Sequence, residues 1–288
     1  MKTFILMFLV LQTGLLAQER SVEPTWLHRD VASLRERSND LSSSSCHYTP
    51  IFGEGDSESR FPLSITRFGE LTVDPQGVCP AVPYPREEEL YYVLEGRGVL
   101  QYEEESHALA ANDFTYVAPT VRHSVSNSSH QPLRLIVITV KIPSGTPIAP
   151  PGKLVVANLS ELREQTVEGH PQSVLYKLLI GPRTATRDRI NATYTVADFF
   201  LMDFAPAGTN FPHHHETAEE IYLVLDGEGK IAAGGGTDGV EGLHPAKAGD
   251  AYYFRPNCTV GFYNQNTPGA KAHILAVRAF VPMPKNPD

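Results

Sequence analysis

Apolar residues along this chain come in short runs that end at Gly, Pro, Asn or Asp. Runs at 63–68, 70–73, 90–94, 99–102, 114–117 and 133–140 are of this kind, as is Ile221-Tyr-Leu-Val-Leu225. Short segments rich in β-branched and aromatic residues, bounded by turn formers, predict strands. One stretch follows another period. Within 26–37, Leu27, Val31 and Leu34 fall at helical spacing, which predicts a short amphipathic helix. The segment Pro143-Ser-Gly-Thr-Pro-Ile-Ala-Pro-Pro-Gly152 predicts an extended linker.

Beyond that linker the pattern repeats. Val31-Ala-Ser-Leu-Arg-Glu36 is answered by Leu159-Ser-Glu-Leu-Arg-Glu164, and the run from Tyr48 to Gly53 by the run from Tyr176 to Gly181. Glu88-Glu-Leu-Tyr-Tyr-Val-Leu-Glu-Gly-Arg-Gly98 is answered by Glu219-Glu-Ile-Tyr-Leu-Val-Leu-Asp-Gly-Glu-Gly229. Asn112-Asp-Phe-Thr-Tyr-Val-Ala-Pro119 is answered by Gly249-Asp-Ala-Tyr-Tyr-Phe-Arg-Pro256. Between the last two matches the offset grows by a few residues, which sit in Gly234-Gly-Gly-Thr-Asp-Gly239, a hairpin loop where insertion costs little. Two copies of one all-β domain follow, at 18–142 and 154–288, with residues 143–153 between them.

Composition narrows the class. The 288 residues are 41% hydrophobic and 20% charged, which suits a chain able to bury a core, and 22 Gly with 23 Pro suit many turns. The net charge of −9 argues against nucleic acid and anionic membrane surfaces, which call for basic patches. The N-terminus changes the picture further. Lys2 precedes an apolar run at 4–16, and Leu15-Leu-Ala17 reads as a cleavage site before Gln18. Residues 1–17 are therefore expected to be an export signal, leaving a secreted or periplasmic protein without a membrane segment. An uncleaved anchor or a buried helix is the alternative, although the run is short of the roughly 20 residues a spanning helix needs. In an oxidising compartment one pair among Cys46, Cys79 and Cys258 could bridge, and Cys46 with Cys79 falls in one half of the chain. Unpaired buried thiols fit the spacing equally well.

The candidate chemistry lies in Gly208-Thr-Asn-Phe-Pro-His-His-His215-Glu-Thr-Ala-Glu-Glu220 and the strand-like run after it. In extended chain, His213 and His215 share a face and His214 takes the other. Glu220 opens the next strand, so two imidazoles and one carboxylate can meet at a divalent ion. A surface histidine cluster is the plainer alternative. The stretch resembles the first motif of the cupin superfamily. His213-x-His215 is followed by four residues, Glu220, six residues and Gly227, while the gap from Gly208 to His213 is one residue shorter than the family pattern. The resemblance covers nearly all of the chain after the export signal. It implies two tandem double-stranded β-helix (jelly-roll) barrels with short flanking helices, a bicupin.

Aligning the copies separates the two sites. His213 and His215 correspond to Val82 and Tyr84, and Glu220 to Glu89. The family's second motif gives Asp113, Pro119, His123 and Asn127 in the first copy. In the second copy it gives Asp250, Pro256, Val260 and Asn264, with Val260 where the histidine belongs. The first barrel thus keeps only Glu89 and His123, a degenerate site. The second keeps His213, His215 and Glu220, a two-histidine, one-carboxylate set of the kind found in non-haem Fe(II) oxygenases and equally suited to Mn. Cys258, Tyr263 and His273 are candidates to complete that shell, and Lys141 and Arg278 to orient an anion.

The resemblance implies a divalent metal, Mn or Fe before Zn or Ni, and a small-molecule substrate or ligand. It is similar to the quercetinase and gentisate dioxygenase types, the oxalate decarboxylase bicupins and the ureidoglycine aminohydrolase bicupins. The decarboxylases carry full ligand sets in both barrels and the aminohydrolases a fourth ligand, and this sequence departs from both. A bicupin that binds a small organic acid or sugar without turnover is the competing class, and a homodimer is expected either way.

Overall fold

Where the sequence predicts strands, backbone pairing joins them into four sheets. The computed structural model describes residues 24–235 and 241–282. The expected export signal at 1–17 lies outside the described residues, as does most of the predicted hairpin tip at 234–239.

The protein is all-β, with two jelly-roll barrels. A six-stranded sheet holds, in spatial order, Val156–Asn158, Asp113–Val117, Glu87–Glu95, Leu133–Lys141, Ile65–Val73 and Cys46–Gly53. Against it stands a small sheet of Glu105–Ala110, Arg97–Tyr102 and His123–Ser126, which closes the first barrel. A seven-stranded sheet holds Trp26–Asp30, Asp250–Phe254, Ala218–Asp226, Ala272–Phe280, Val196–Phe204, Val174–Pro182 and Ile190–Thr193. The small sheet of Glu241–Lys247, Glu228–Gly234 and Thr259–Asn264 closes the second barrel.

The predicted helix at 26–37 is not formed. Trp26–Asp30 is a strand, antiparallel to Asp250–Phe254, and only Val31–Ser33 makes a single 3-10 turn capped by the Asp30 carboxylate. An isolated helix of that length is marginal in water. The open edge of the Asp250–Phe254 strand pairs with the facing backbone groups of Trp26–Asp30, so tertiary pairing overrides the local period.

That strand also crosses the expected domain division. Trp26–Asp30 lies in the sheet of the second barrel, and Val156–Asn158, from the second copy, pairs with Asp113–Val117 of the first. Each barrel therefore donates one edge strand to the other. The exchange is accompanied by a reciprocal clasp. Glu88, fully buried, accepts the backbone N–H groups of Tyr194, Thr195 and Val196 at 2.7, 2.8 and 2.9 Å. Glu219, also fully buried, accepts those of Leu63, Ser64 and Ile65 at 2.7, 2.7 and 2.6 Å, and the Tyr253 hydroxyl at 2.8 Å.

Hydrophobic burial follows the same plan. Ile51, Phe52, Tyr92 and Ile138 from the first large sheet pack with Phe199, Ile221, Tyr253 and Val277 from the second. This shared core binds barrel to barrel, while each barrel interior has its own apolar cluster. Cys46 and Cys79 form a disulfide, which closes a loop across 33 positions in the first barrel, and Cys258 is a buried thiol outside any disulfide. Closing a loop of that length stabilises a fold by about 3–4 kcal/mol.

Candidate metal centre

His213 and His215 sit on extended chain held against the strand Thr259–Asn264. His213 exchanges two backbone hydrogen bonds with Val260, at 3.0 and 2.8 Å, and the His215 carbonyl accepts from the Asn257 N–H at 2.8 Å. Gly261 permits this close approach, because a Cβ there would stand 2.9 Å from the Pro212 backbone. Glu220 comes from the neighbouring strand Ala218–Asp226, which Gly227 ends at φ +82°, where an added Cβ would meet the Lys271 carbonyl at 2.2 Å. Thus the two imidazoles and the carboxylate arrive from separate segments at one point.

One donor atom from each of His213, His215 and Glu220 lies within 4.8 Å of the others, and this is the sole three-donor group found among the described residues. The His213 Nδ1–H points to the Phe211 carbonyl at 2.8 Å, which leaves Nε2 with a free lone pair. Burial pushes the His213 pKa down, so the ring is held neutral as a ligand must be. His215 Nε2 pairs with Glu220 Oε2 at 3.2 Å. Burial works against ionisation of Glu220, but His215, Arg278 and His213 outweigh it and hold its carboxyl below the usual range. A buried, ionised carboxylate converging with two imidazoles fits a divalent cation.

These residues form the floor of a cavity of about 210 Å³. Apolar walls come from Val167, Leu178, Phe200 and Met202. Arg278 lies with its Nη1 3.0 Å from His215 Nδ1 and its other terminal nitrogen on the Asp198 carboxylate. Arg187, at the rim, also reaches Asp198. Asn210 braces the wall, donating to the Tyr222 hydroxyl at 2.9 Å and accepting the Phe262 N–H at 2.8 Å.

The other sequence candidates distribute differently. His214 is exposed, as its place in the alternation requires. Val260 stands where the family's second motif has a histidine, and none of Cys258, Tyr263 and His273 lines the cavity. Cys258 is buried with its thiol on the Thr259 carbonyl. Tyr263 sits on the outer sheet, and His273 turns away toward Asp203 and Asp226. Lys141 is exposed and lines a separate groove with Leu63 and Pro143. Arg278 does enter the cavity. Sequence reading missed His170, whose ring is 5.1 Å from that of His213 and whose Nδ1 is fixed by the Asn210 carbonyl at 2.8 Å. It missed Arg187 and Asp198 as well. No motif spacing ties these three to the histidine cluster, and only the folding of loop 165–173 and the adjacent strands brings them there.

In the first barrel the same alignment holds in space, with Val82 bridging His123 as His213 bridges Val260. Asn127 and Asn264 play matching roles, each side-chain amide donating to three backbone carbonyls. The interior, however, is filled. His123 Nε2 pairs with Glu89 at 2.8 Å, both nearly inaccessible, and Tyr84 hydrogen-bonds Asp40 and the buried Arg67. For His123, burial lowers the pKa but Glu89 more than restores it, so the net direction is upward. The stabilisation this pair provides is fully present below the unfolded histidine value of about 6.5 and is lost as pH rises through the higher folded value. We therefore expect the stability difference between the wild type and His123→Gln to be larger at about pH 6 than at about pH 9. Urea titrations at the two pH values check this, and a difference that grows with pH would contradict it.

The cupin-domain family model matches residues 69–139 and 200–277, together more than half of the chain. The chain belongs to the cupin family, and its two matched segments are the two barrels. Among solved structures it is similar to the putative glyoxylate-induced protein of Pseudomonas aeruginosa, with a TM-score of 0.71 and 15% identity over 96% of each chain. It is also similar to the oxalate decarboxylase of Lactobacillus farciminis, solved as a formate complex, with a TM-score of 0.62 and 10% identity over 91% of this chain and 88% of that one. At these identities the likeness is one of fold. An uncharacterised protein of Methanocaldococcus jannaschii is 35% identical over 49 residues, a segment that spans 17% of this chain and 39% of that protein.

Proposed function

We propose that this protein is an exported, metal-dependent cupin with one working centre, formed by His213, His215 and Glu220 in the second barrel. The observation that carries the reading is the convergence of one donor atom each from His213, His215 and the buried Glu220 within 4.8 Å of one another. A two-nitrogen, one-oxygen set favours Mn or Fe, with Zn or Ni also accommodated. A bound ion there would supply Lewis acidity or O2 activation through its open positions.

The chain's own residues would do the rest. Glu220 and the two histidines hold the ion, with the His213 tautomer set by the Phe211 carbonyl. Phe200, Met202 and Leu178 keep one side of the cavity dry, while Arg278, Arg187 and Tyr176 offer donors to oxygen atoms of a substrate. A cavity of about 210 Å³ suits a small substrate. A small oxygen-rich organic compound undergoing dioxygenase- or decarboxylase-like chemistry fits this setting. Export is supported by the residues 1–17 and by the Cys46–Cys79 disulfide, a bond that persists in oxidising compartments.

The test is elemental analysis of the purified full chain. We expect about one metal equivalent per chain, from one open N/O site, and its loss in the double variant His213→Ala, His215→Ala with the fold retained by circular dichroism. Retention of metal by that variant, or no metal in the wild type after reconstitution, would sink the proposal and leave a ligand-binding barrel.

A further inference from the structure

We infer that the cavity above His213, His215 and Glu220 is a carboxylate clamp held shut by an internal ligand, the side chain of Asp198. The inference deepens the reading of that same site by naming what its guanidinium groups grip.

Asp198 is 3% exposed, and its carboxylate lies between two guanidinium groups, those of Arg278 and Arg187. Both arginines line the cavity. Two further donors in the cavity wall lack an acceptor: Arg278 Nε–H and the Tyr176 hydroxyl are buried and unpaired. Buried donors without acceptors are costly, and an anion in the cavity would supply what they lack. A guanidinium presents several N–H groups in a fixed plane that matches a carboxylate, and Asp198 already demonstrates that match from within the chain.

The first barrel supplies an internal comparison. There the strand position of Asp198 is taken by Arg67 and that of Arg278 by Thr139, as the matching strand registers show. Arg67 is engaged by Asp40, Glu54 and Tyr84. The charge at the Asp198 position is thus reversed in the first barrel and that at the Arg278 position is lost, and the arrangement with a short acid facing two arginines across an open cavity belongs to the second barrel.

A small organic carboxylate competes with Asp198 for the guanidinium hydrogens. In the ligand-free protein Asp198 occupies guanidinium donors of both arginines, and Asp188 also pairs with Arg187 Nε at 3.3 Å, so an incoming anion must displace Asp198 and wild-type affinity is held down. Removing the internal carboxylate therefore strengthens binding. Acetate is the probe and uncharged acetamide its isostere, titrated by NMR into the metal-free full chain. Asp198→Asn is expected to bind acetate about tenfold more tightly than the wild type, a change of about 1.4 kcal/mol, with no comparable gain for acetamide. Equal affinity in Asp198→Asn and wild type, or an equal gain for acetamide, overturns the inference. If Asp198→Asn fails to fold, Tyr176→Phe carries the test, with acetate binding weakened about fivefold for one lost hydrogen bond. Unchanged binding there overturns it. Because the titration uses metal-free protein, its outcome is independent of metal content. A wild type that takes up no metal would defeat the metal reading and leave the clamp result standing.

Discussion

Glu219→Ala should lower the stability of the folded chain by about 3–6 kcal/mol and its melting temperature by roughly 10 °C. The Glu219 carboxylate sits in the shared interface and accepts the N–H groups of Leu63, Ser64 and Ile65. Alanine would leave three donors and the Tyr253 hydroxyl without their partner in a buried setting, and each such orphan costs about 1–3 kcal/mol before relaxation. Glu219→Gln should cost less. It keeps one oxygen for Ser64 and Ile65 but turns an amide N–H2 toward the Leu63 donor. Glu88→Ala should behave like Glu219→Ala, since Glu88 holds Tyr194, Thr195 and Val196 in the mirror-related clasp. Guanidinium titration of the three variants checks the series. A cost under about 1 kcal/mol for both alanine variants would mean that water satisfies these groups as well as the carboxylates do.

The second large effect concerns Glu220. Glu220→Gln should weaken metal binding about a thousandfold while the barrel stays folded. Loss of an outer-shell partner costs 10- to 100-fold, and Glu220 is the sole anionic donor of the proposed set, so its neutral amide should cost more. Competition with a chelator of known affinity, read by metal retained per chain, measures it. Affinity within about tenfold of the wild type would remove Glu220 from the ligand set. The neighbouring position gives the contrast. Glu219→Gln, one residue away but facing the first barrel, should leave metal retention unchanged.

Much of this was legible in the sequence. The period of the apolar runs and the internal repeat determined an all-β chain of two barrels. The spacing of His213, His215 and Glu220 determined their convergence, because alternation in extended chain and a strand start are local properties that a jelly roll preserves. The same local logic put His214 outside, and the resemblance to the family's second motif marked Val260 as standing where that motif has a histidine.

What only the tertiary structure decided is whatever depends on residues far apart in the chain. Leu27, Val31 and Leu34 carry a helical period, yet the edge of Asp250–Phe254, more than two hundred positions away, makes Trp26–Asp30 a strand. Glu88 and Glu219 become buried clasps because the opposite barrel presents three N–H groups to each. Cys46 and Cys79 fitted a bond or two free thiols until the fold joined them. His170, Arg187 and Asp198 carry no spacing relative to the histidines, and it is the packing of loop and strands around the cavity that gives the site its charge and its clamp.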